Sequence, residues 1–500
     1  MVTSSTDLAV RSRVNLAAKA RLALQILLAL VACALCARAI YYLWMAADLV
    51  RWPFELHGGE STMVLESRLL NNQGLLAGFR RLYGPQQTDS FVGGNYPPIY
   101  YLVWTLKPGP PAYPTGRAIS LLAGLVAAVA GGVAAYAALP GSRWVRVAAG
   151  ALGGAAFICT VPVFQQLSIA KPDMLALALA AVGLMVFEVR RDRAGAVAAG
   201  VCFALAVLTK QSVGFALVAA MIAALRRDWR TLLTLVASVA GIVLVVLGAL
   251  WLVSGPTLFE HLVLYNLGRD WRQDRFDSLA SKMFFIHWPL LVPAVAYALW
   301  GVWRRPRSAL TYYPLIALLT FATVGSEGGA RNYFVELCLA IGLGAALAVG
   351  TLLISRPPLA PVLGAALLAL LVFYTYQTYT LLVVGKYVPT RPYVTDAYKN
   401  DVLALVEKTP DPILSDDVNY MAMLNRPAVI DDNFLATFVR EQGYWHDDGI
   451  IANVAARKYP LILIPRSQTD EQLRQLWGDP LVDAILANYR RTGDYTFVPK

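Results

Sequence analysis

Long apolar segments recur along most of this 500-residue chain, and short arginine clusters separate many of them. About 20 apolar residues in a helix are enough to cross the hydrocarbon core of a bilayer. Hydrophobic residues make up 57% of the chain and charged residues 15%, against roughly 25% charged residues in soluble domains. The pattern predicts a polytopic α-helical membrane protein. We predict eleven spans, at residues 22–47, 116–139, 147–161, 173–189, 195–208, 212–225, 231–253, 287–303, 308–324, 333–354 and 358–385.

The arginine clusters give these spans an orientation. With the N-terminus in the cytoplasm, clusters such as Arg190, Arg191 and Arg193 fall on cytoplasmic connections, whereas the short outside connections carry lone cations. This is the asymmetry that the positive-inside rule describes. It also explains the formal net charge of +11 without a nucleic-acid partner. We therefore expect a multi-pass cell-membrane protein whose partners include the lipid bilayer and no nucleic acid.

Two outside connections are too long to be simple spacers. The loop at 48–115 is rich in carboxylates, glycine and aromatic residues, and the apolar spacing of 61–70 and 75–82 favours helices along the membrane surface. Segment 97–106 begins with Pro-Pro and is about half as long as a span, which predicts an interfacial or re-entrant helix. The second outside loop, at 254–286, interleaves arginine with aspartate.

The last part of the chain has a different pattern. Residues 386–500 alternate short apolar runs with helical patterns, which predicts a small extracytoplasmic α/β domain. The other predicted units are a cytoplasmic tail at 1–21 and a membrane domain at 22–385. The apolar runs lie at 412–414, 428–430 and 461–464, and the helical patterns at 433–440, 447–456, 470–477 and 480–489.

Several short motifs lie on the predicted outside in a fixed order. They are Pro53-Phe54-Glu55-Leu56-His57-Gly58-Gly59-Glu60, Asn95-Tyr96-Pro97-Pro98-Ile99-Tyr100-Tyr101, Ala170-Lys171-Pro172-Asp173-Met174, and Thr209-Lys210-Gln211 with Arg331-Asn332-Tyr333-Phe334. Over residues 20–385 the chain resembles the GT-C superfamily of membrane glycosyltransferases, on the family 39-like side of protein mannosyltransferases and aminoarabinose transferases. That family often carries an Asp-Glu or Asp-x-Asp pair in its acidic motif, whereas Glu55 and Glu60 are spaced as Glu-x4-Glu.

The resemblance implies a GT-C-like fold and a cell-envelope function. It implies transfer of a hexose or pentose from a polyprenyl-phosphate donor to a hydroxyl of a lipid, glycan or protein acceptor on the extracytoplasmic side. No cofactor is implied. Because His57, His261 and His287 lie on the predicted outside with several carboxylates, a divalent metal remains open, although no spacing requires one. The C-terminal domain is expected to shape the acceptor entrance.

Such a transfer needs a carboxylate to take the acceptor proton and cations to hold the leaving phosphate. The candidate catalytic residues are Glu60, Glu55 and Asp173, and Glu60 is preferred as the base because it matches the motif position better. The candidate substrate-binding residues are Lys210, Lys171, Arg331, Asn332, Tyr333, Tyr96, Tyr100, Arg269 and Arg272. We read the two short spans around Lys210 as a hairpin with a recessed turn, so this lysine needs an anion, either Asp173 or the donor phosphate.

Other interpretations stay open. Glu55 and Glu60 are also typical of a solvated loop, Asp173 of the first turn of a helix, and Lys210 of a turn residue that reaches the membrane interface. A polytopic transporter, or a lipid flippase or lipid-binding membrane protein, would also carry charges inside the membrane. A transporter would not need the acidic outside loop, and the two halves of the chain show no internal repeat.

Overall fold

The computed structural model of the chain describes residues 5–107, 109–267, 269–355, 359–380, 396–464, 470–493 and 496–500. The predicted domain boundary between 385 and 386 and the end of the eleventh predicted span lie outside these residues. In the described part of the chain, seventeen α-helices and two short 3-10 helices, Leu264–Asn266 and Arg331–Phe334, precede that boundary. The α-helices are α1 (Ser5–Val50), α2 (Glu60–Gln73), α3 (Leu75–Tyr83), α4 (Pro98–Thr105), α5 (Tyr113–Ala138), α6 (Arg143–Ile158), α7 (Val161–Gln166), α8 (Asp173–Val189), α9 (Arg193–Val207), α10 (Phe215–Arg227), α11 (Trp229–Ser254), α12 (Thr257–Leu262), α13 (Gln273–Arg304), α14 (Ala309–Ala317), α15 (Thr320–Thr323), α16 (Val335–Ile354) and α17 (Ala360–Tyr379).

Every predicted span coincides with one of these helices, or with the pair α14 and α15 for the span at 308–324. Six helical stretches in the described part of the chain are long and apolar enough to cross a bilayer. They are Lys19–Val50, Tyr113–Ala138, Trp229–Ser254, Gln273–Arg304, Arg331–Ile354 and Ala360–Tyr379. The polytopic helical class is confirmed, and the count of eleven spans stays a prediction. The predicted tail is helical from Ser5 and continues directly into the first span.

Small residues bring the membrane helices close together. On α5 and α6, a Cβ added at Gly150 would lie 2.6 Å from the carbonyl oxygen of Gly132, and one added at Gly154 would lie 2.5 Å from that of Ala128. Glycine and alanine four residues apart on facing helices allow such backbone contact in a bilayer, where dispersion replaces the hydrophobic effect as the main attraction. Nearly all of α16 is buried among the other helices. The packing therefore fixes the ends of α5 and α8, which carry site residues.

The arginine-rich connections converge at one end of the bundle. Arg227 donates to the carbonyl oxygens of Phe187 at 3.1 Å and Arg307 at 3.0 Å, and Arg305 donates to that of Ala138 at 2.5 Å. The connections that follow α5, α8, α10 and α13 thus share one face, as the charge pattern predicts.

Two expectations about the outside segments were wrong. Residues 273–286 do not belong to a loop, because α13 already begins at Gln273 and runs to Arg304. Contacts four residues apart, such as Gln273 to Asp277 at 2.8 Å, extend this helix beyond its apolar part. Helix α2 does not lie on a membrane surface, since most of it is buried beneath other protein segments. Helices α3 and α4 fall where the sequence predicts them.

The C-terminal part is a small α/β unit, as predicted. Its strands are β1 (Leu414–Ser415), β2 (Ile462–Leu463), β3 (Tyr489–Arg491) and β4 (Thr496–Pro499), in the order β1-β2-β4-β3, with β1 and β2 parallel and the other pairs antiparallel. Its helices are α18 (Asp396–Lys408), α19 (Asn419–Met423), α20 (Asn433–Glu441), α21 (Asp448–Ala455), α22 (Asp470–Trp477) and α23 (Asp479–Asn488). Helices α20 to α23 match the four predicted helical patterns.

The loop at 48–115, which the sequence predicts to lie outside, holds this unit against the membrane helices. Phe91 pairs with Ile430 as a parallel bridge, and its amide donates to the carbonyl oxygen of Val429 at 2.9 Å. The amide of Ile450 donates to Thr88, and the indole of Trp445 donates to the carbonyl oxygen of Gln87 at 2.8 Å. The predicted apolar run at 428–430 therefore pairs with the outside loop instead of forming a strand of the sheet.

Candidate active site

A cavity of about 740 Å³ lies where the membrane helices, the first outside loop and the C-terminal unit meet. We call it the main cavity. The predicted site residues on its wall are Glu55, Tyr96, Lys171, Lys210, Arg269, Asn332 and Tyr333. Residues more than 300 positions apart in the sequence thus share one polar chamber, whose wall carries both carboxylates and cations.

Glu60, the preferred base, does not line the main cavity. Its two carboxylate oxygens accept from Arg117 Nε at 2.9 Å and Nη2 at 2.8 Å, and also from the amides of Ala170 at 2.7 Å and Leu56 at 2.6 Å. Both side chains of this ion pair are fully buried. Arg117 also donates to the carbonyl oxygens of Trp52 and Phe54. Glu60 therefore ties α2 and α5 to the turn that carries Glu55.

Glu55 is the carboxylate that lines the cavity. Its Oε1 accepts from the amide of Ser61 at 3.1 Å, and its own amide donates to Asn419 Oδ1 at 2.9 Å. Burial, followed by the negative charge of Glu60, raises the pKa of Glu55 to about 7. A carboxyl group with this pKa can accept a proton near neutral pH and still transfer it readily.

Lys171 lies beside Glu55 and next to an unusual glycine. Gly59 has φ +91°, and a Cβ there would approach the Nζ of Lys171 to 3.2 Å, so glycine suits both the backbone and the space. The Nζ lies 3.2 Å from His57 Nδ1. Burial lowers the pKa of Lys171, and the positive charge of Lys171 is the main cause that lowers the pKa of His57. Among the described residues, no carboxylate forms an ion pair with Lys171.

Lys210 has a carboxylate partner. Its Nζ forms a buried ion pair with Asp173 Oδ1, one of the two anions that the recessed-turn interpretation left open, and Asn332 Nδ2 donates to the same oxygen at 2.9 Å. The lysine Nζ also lies 5.9 Å and 5.6 Å from the ring centroids of Tyr96 and Tyr333. The pair therefore joins the start of α8, the turn after α9 and the segment before α16.

The predicted arginines divide between two chambers. Arg269 lines the main cavity, and its Nη2 donates to Asn266 Oδ1 at 3.0 Å. Arg272 and Arg331 instead line a second cavity of about 740 Å³, together with Arg275. Arg272 is mostly exposed and pairs with Asp274 at 3.1 Å. Tyr100 lines neither chamber and packs against Trp104 at a centroid distance of 5.9 Å.

The two cavities are neighbours. His57, Arg275 and Ala330 lie on the walls of both. The second cavity shares Leu279 and Arg331 with a narrow apolar groove between α7, α13 and the segment before α16. The groove is lined by Val161, Pro162, Leu279, Lys282, Met283, Ile286, His287, Arg331 and Phe334. The main cavity, the second cavity with its arginines and the apolar groove are therefore neighbours in this order.

Sequence reasoning missed the acidic wall that the C-terminal unit contributes. Asp416, Asp417, Asp431 and Asp432 line the main cavity together with the cations of the membrane domain. Burial raises the pKa of Asp431 to about 8. Asp431 and Asp432 directly follow the apolar run 428–430, and Asp416 and Asp417 follow the run 412–414 after one serine; acidic residues at such positions are a signal that could have identified them.

The three histidines that left a metal open do not converge. His57 lines the main cavity, while His261 lies between the carbonyl oxygens of Gly93 at 2.8 Å and Gly84 at 3.0 Å. His287 contacts the hydroxyl of Tyr374 within the membrane bundle at 2.9 Å. In the described part of the chain, no group of three His, Cys, Asp or Glu residues could hold a metal ion.

The fold is that of GT-C membrane proteins. ArnT from Cupriavidus metallidurans, in the structure bound to undecaprenyl phosphate, superposes with a TM-score of 0.61 at 14% identity, over 93% of this chain and 97% of that one. The archaeal oligosaccharyltransferase AglB from Archaeoglobus fulgidus, in complex with an inhibitory peptide and a dolichol-phosphate, superposes with a TM-score of 0.52 at 13% identity, over 92% of this chain and 74% of that one. No family model and no curated protein matches the chain. The likeness therefore confirms the expected fold.

Proposed function

We propose that this protein is a membrane glycosyltransferase that moves a sugar from a polyprenyl-phosphate donor to an acceptor hydroxyl on the extracytoplasmic side. The observation that carries the proposal is Glu55, a carboxyl group with a pKa of about 7 that faces a cavity beside Lys171 and His57. Two proteins of the same fold hold undecaprenyl phosphate and dolichol-phosphate in their structures. The positive-inside rule assigns the arginine-rich end of the bundle to the cytoplasm and the cavity to the other side.

Glu55 is the proposed general base. The acceptor hydroxyl loses its proton to the Glu55 carboxylate, and its oxygen forms the new bond to the anomeric carbon of the donor. The bond between that carbon and the phosphate oxygen breaks, and the phosphate keeps the electron pair. Glu60 is a positioning residue in this scheme, since Arg117 and two backbone amides already occupy its oxygens.

Lys171 is the proposed cation at the leaving phosphate. It lines the main cavity, and its charge is not neutralised by an ion pair with a described carboxylate, whereas the charge of Lys210 is neutralised by Asp173. A lysine ammonium can stabilise the negative charge that develops on the phosphate oxygens, and this stabilisation is larger where water is partly excluded. His57 Nδ1 lies 3.2 Å from the Nζ of Lys171 and 3.0 Å from the carbonyl oxygen of Gly58, so the imidazole stands next to the proposed phosphate cation.

The second cavity offers a path for the lipid part of the donor. Arg275 and Arg331 present guanidinium groups between the polar chamber and the apolar groove. A phosphate at this junction would place its sugar in the main cavity and its isoprenoid chain along α13, toward the bilayer. Arginine pairs well with phosphate oxygens because its donors form a planar fork.

The test uses the purified full-length protein in nanodiscs with a panel of polyprenyl-phosphate sugars, hexoses and pentoses among them, and an acceptor extract. Release of polyprenyl phosphate is measured for the wild type, for Glu55→Gln and for Glu441→Gln, a control at an exposed glutamate that does not line the main cavity. We expect release by the wild type and the control, and a loss in Glu55→Gln. Binding of the lipid without release in any combination would favour a flippase or lipid-binding protein.

A further inference from the structure

An exposed aromatic ring stands on the wall of the main cavity. Phe434 lies in the first turn of α20, and 44% of it is exposed. Phe438 packs edge to face against it at a centroid distance of 4.9 Å and an interplanar angle of 71°. A Cβ added at Gly328 would lie 3.0 Å from the ring, so the loop before α16 supports it from the other side. The ring is thus held in place while much of it faces the chamber.

The groups around this ring are polar. The same cavity is lined by Asp417, Asn433 and Arg269. Arg269 lies near the Phe434 ring, because a Cβ added at Gly328 would lie 3.2 Å from Arg269 Nη1 and 3.0 Å from the ring. Hydroxyl groups of a ligand can donate hydrogen bonds to carboxylates and accept hydrogen bonds from guanidinium groups, and side-chain amides can do both. An aromatic face surrounded by such groups suits a ligand with an apolar face and a polar edge, which describes a sugar ring. An isoprenoid or acyl chain would need an apolar wall.

The C-terminal unit also contacts the proposed base. Asn419 Oδ1 accepts from the amide of Glu55 at 2.9 Å, and the amide of Asn419 donates to Asp417 Oδ1 at 3.1 Å. Asp417 and Phe434 are both on the cavity wall. A ligand that rests on Phe434 therefore lies in the same chamber as Glu55.

We infer that the C-terminal unit forms a carbohydrate acceptor subsite in which a sugar ring stacks on Phe434 and presents a hydroxyl group toward Glu55. This inference rests on the proposed function and names the acceptor class for it. Phe434 is a specificity-determining residue in this arrangement, and Asp417 and Asn433 pair with hydroxyl groups on the ring edge. The donor sugar occupies the same chamber, and its phosphate lies toward the second cavity, which shares His57 and Arg275 with the main cavity.

The experiment uses the full-length protein in nanodiscs on an array of soluble glycans with hexose, pentose, amino-sugar and uronic-acid ends, and oligolysine as the peptide probe. Wild type is compared with Phe434→Ala, Phe434→Leu and Phe434→Trp. The control is Tyr444→Ala, because Tyr444 is 42% exposed on the same unit but does not line the cavity. We expect glycan binding by the wild type, the control and Phe434→Trp. We expect about tenfold weaker binding by the Ala and Leu variants, which lack an aromatic face.

Binding of undecaprenyl phosphate is measured on the same samples. Two results would overturn the acceptor inference: no glycan binds to the wild type, or glycans bind equally well to the wild type and to Phe434→Ala. If undecaprenyl phosphate still binds to every variant, the donor half of the proposed function stands. Oligolysine binding that depends on Phe434, without glycan binding, would assign the chamber to a basic peptide instead. If the wild type does not bind the lipid, it is the proposed function itself that fails.

Discussion

Replacing Glu55 and Glu60 separately by glutamine should distinguish a residue needed for turnover from a residue needed for stability. Glu55→Gln keeps the size of the side chain and removes the base, so turnover should fall by roughly 10²- to 10⁴-fold with donor binding retained. Glu60→Gln leaves the buried Arg117 without its counter-charge and places an amide NH₂ among backbone donors. Breaking a buried ion pair costs about 3–5 kcal/mol, so this variant should melt at a lower temperature or yield less folded protein.

The pKa of Glu55 adds a pH dependence to this prediction. With a pKa of about 7, about one tenth of the carboxyl groups are ionised at pH 6 and about nine tenths at pH 8. In the wild type, kcat/KM should rise about tenfold per pH unit below pH 7 and level off above it. The folded-state pKa is raised, so the stability that the protonated group contributes is lost as the pH rises through 7. Glu55→Gln should therefore be no less stable than the wild type above that pH.

The assay is single-turnover release of polyprenyl phosphate between pH 5.5 and 8.5, with thermal melting of the same samples. Where Glu60→Gln does not fold, Glu60→Gln combined with Arg117→Leu removes the unpaired charge and tests whether Glu55 still supports pH-dependent turnover. A stable, inactive Glu60→Gln beside a fully active Glu55→Gln would refute the assignment and return the base to Glu60.

Three further outcomes are expected. In its proposed role the Lys171 ammonium contacts phosphate before and during its departure, so Lys171→Met should weaken donor binding by about tenfold or more and slow transfer together. Donor titration checks this, with Lys107→Met as a control at an exposed lysine outside the cavity. Burial raises the pKa of Asp431 to about 8, so the stability that its protonated carboxyl contributes is lost as the pH rises through 8. The melting temperature should therefore fall less between pH 7 and 9 in Asp431→Asn than in the wild type. An identical fall in both proteins would exclude Asp431 as its source. A cysteine at the exposed position Glu441, in a background without the native cysteines, should react with a membrane-impermeant maleimide only from the outside of intact cells, and labelling only in inverted vesicles would reverse the topology.

The sequence predicted the parts of the fold that local patterns control. Apolar segments of membrane length located the helices, and the arginine clusters grouped connections that do meet at one end of the bundle. Asp173 was also one of the two anions predicted for Lys210, because a buried lysine needs an anion, and the structure shows this pair.

The choice between Glu55 and Glu60 could not be made from the sequence. It depends on Arg117, which lies 57 positions from Glu60 and is brought to it by the packing of α5 against the outside loop. The acidic wall of the cavity has the same origin, since Asp431 reaches the site through the pairing of Ile430 with Phe91. Such contacts depend on the docking of distant segments, and no local periodicity encodes them.

The pairing of Phe91 with Ile430 also sets the order in which the protein can become functional during synthesis. The outside loop leaves the ribosome early, but the segment that completes its pairing follows more than 300 residues later. Until that segment has been synthesised, Thr62 lacks the backbone carbonyl of Asp431 to which its hydroxyl donates at 2.8 Å, and one wall of the cavity is missing. A nascent chain can therefore occupy the membrane before its chamber is closed.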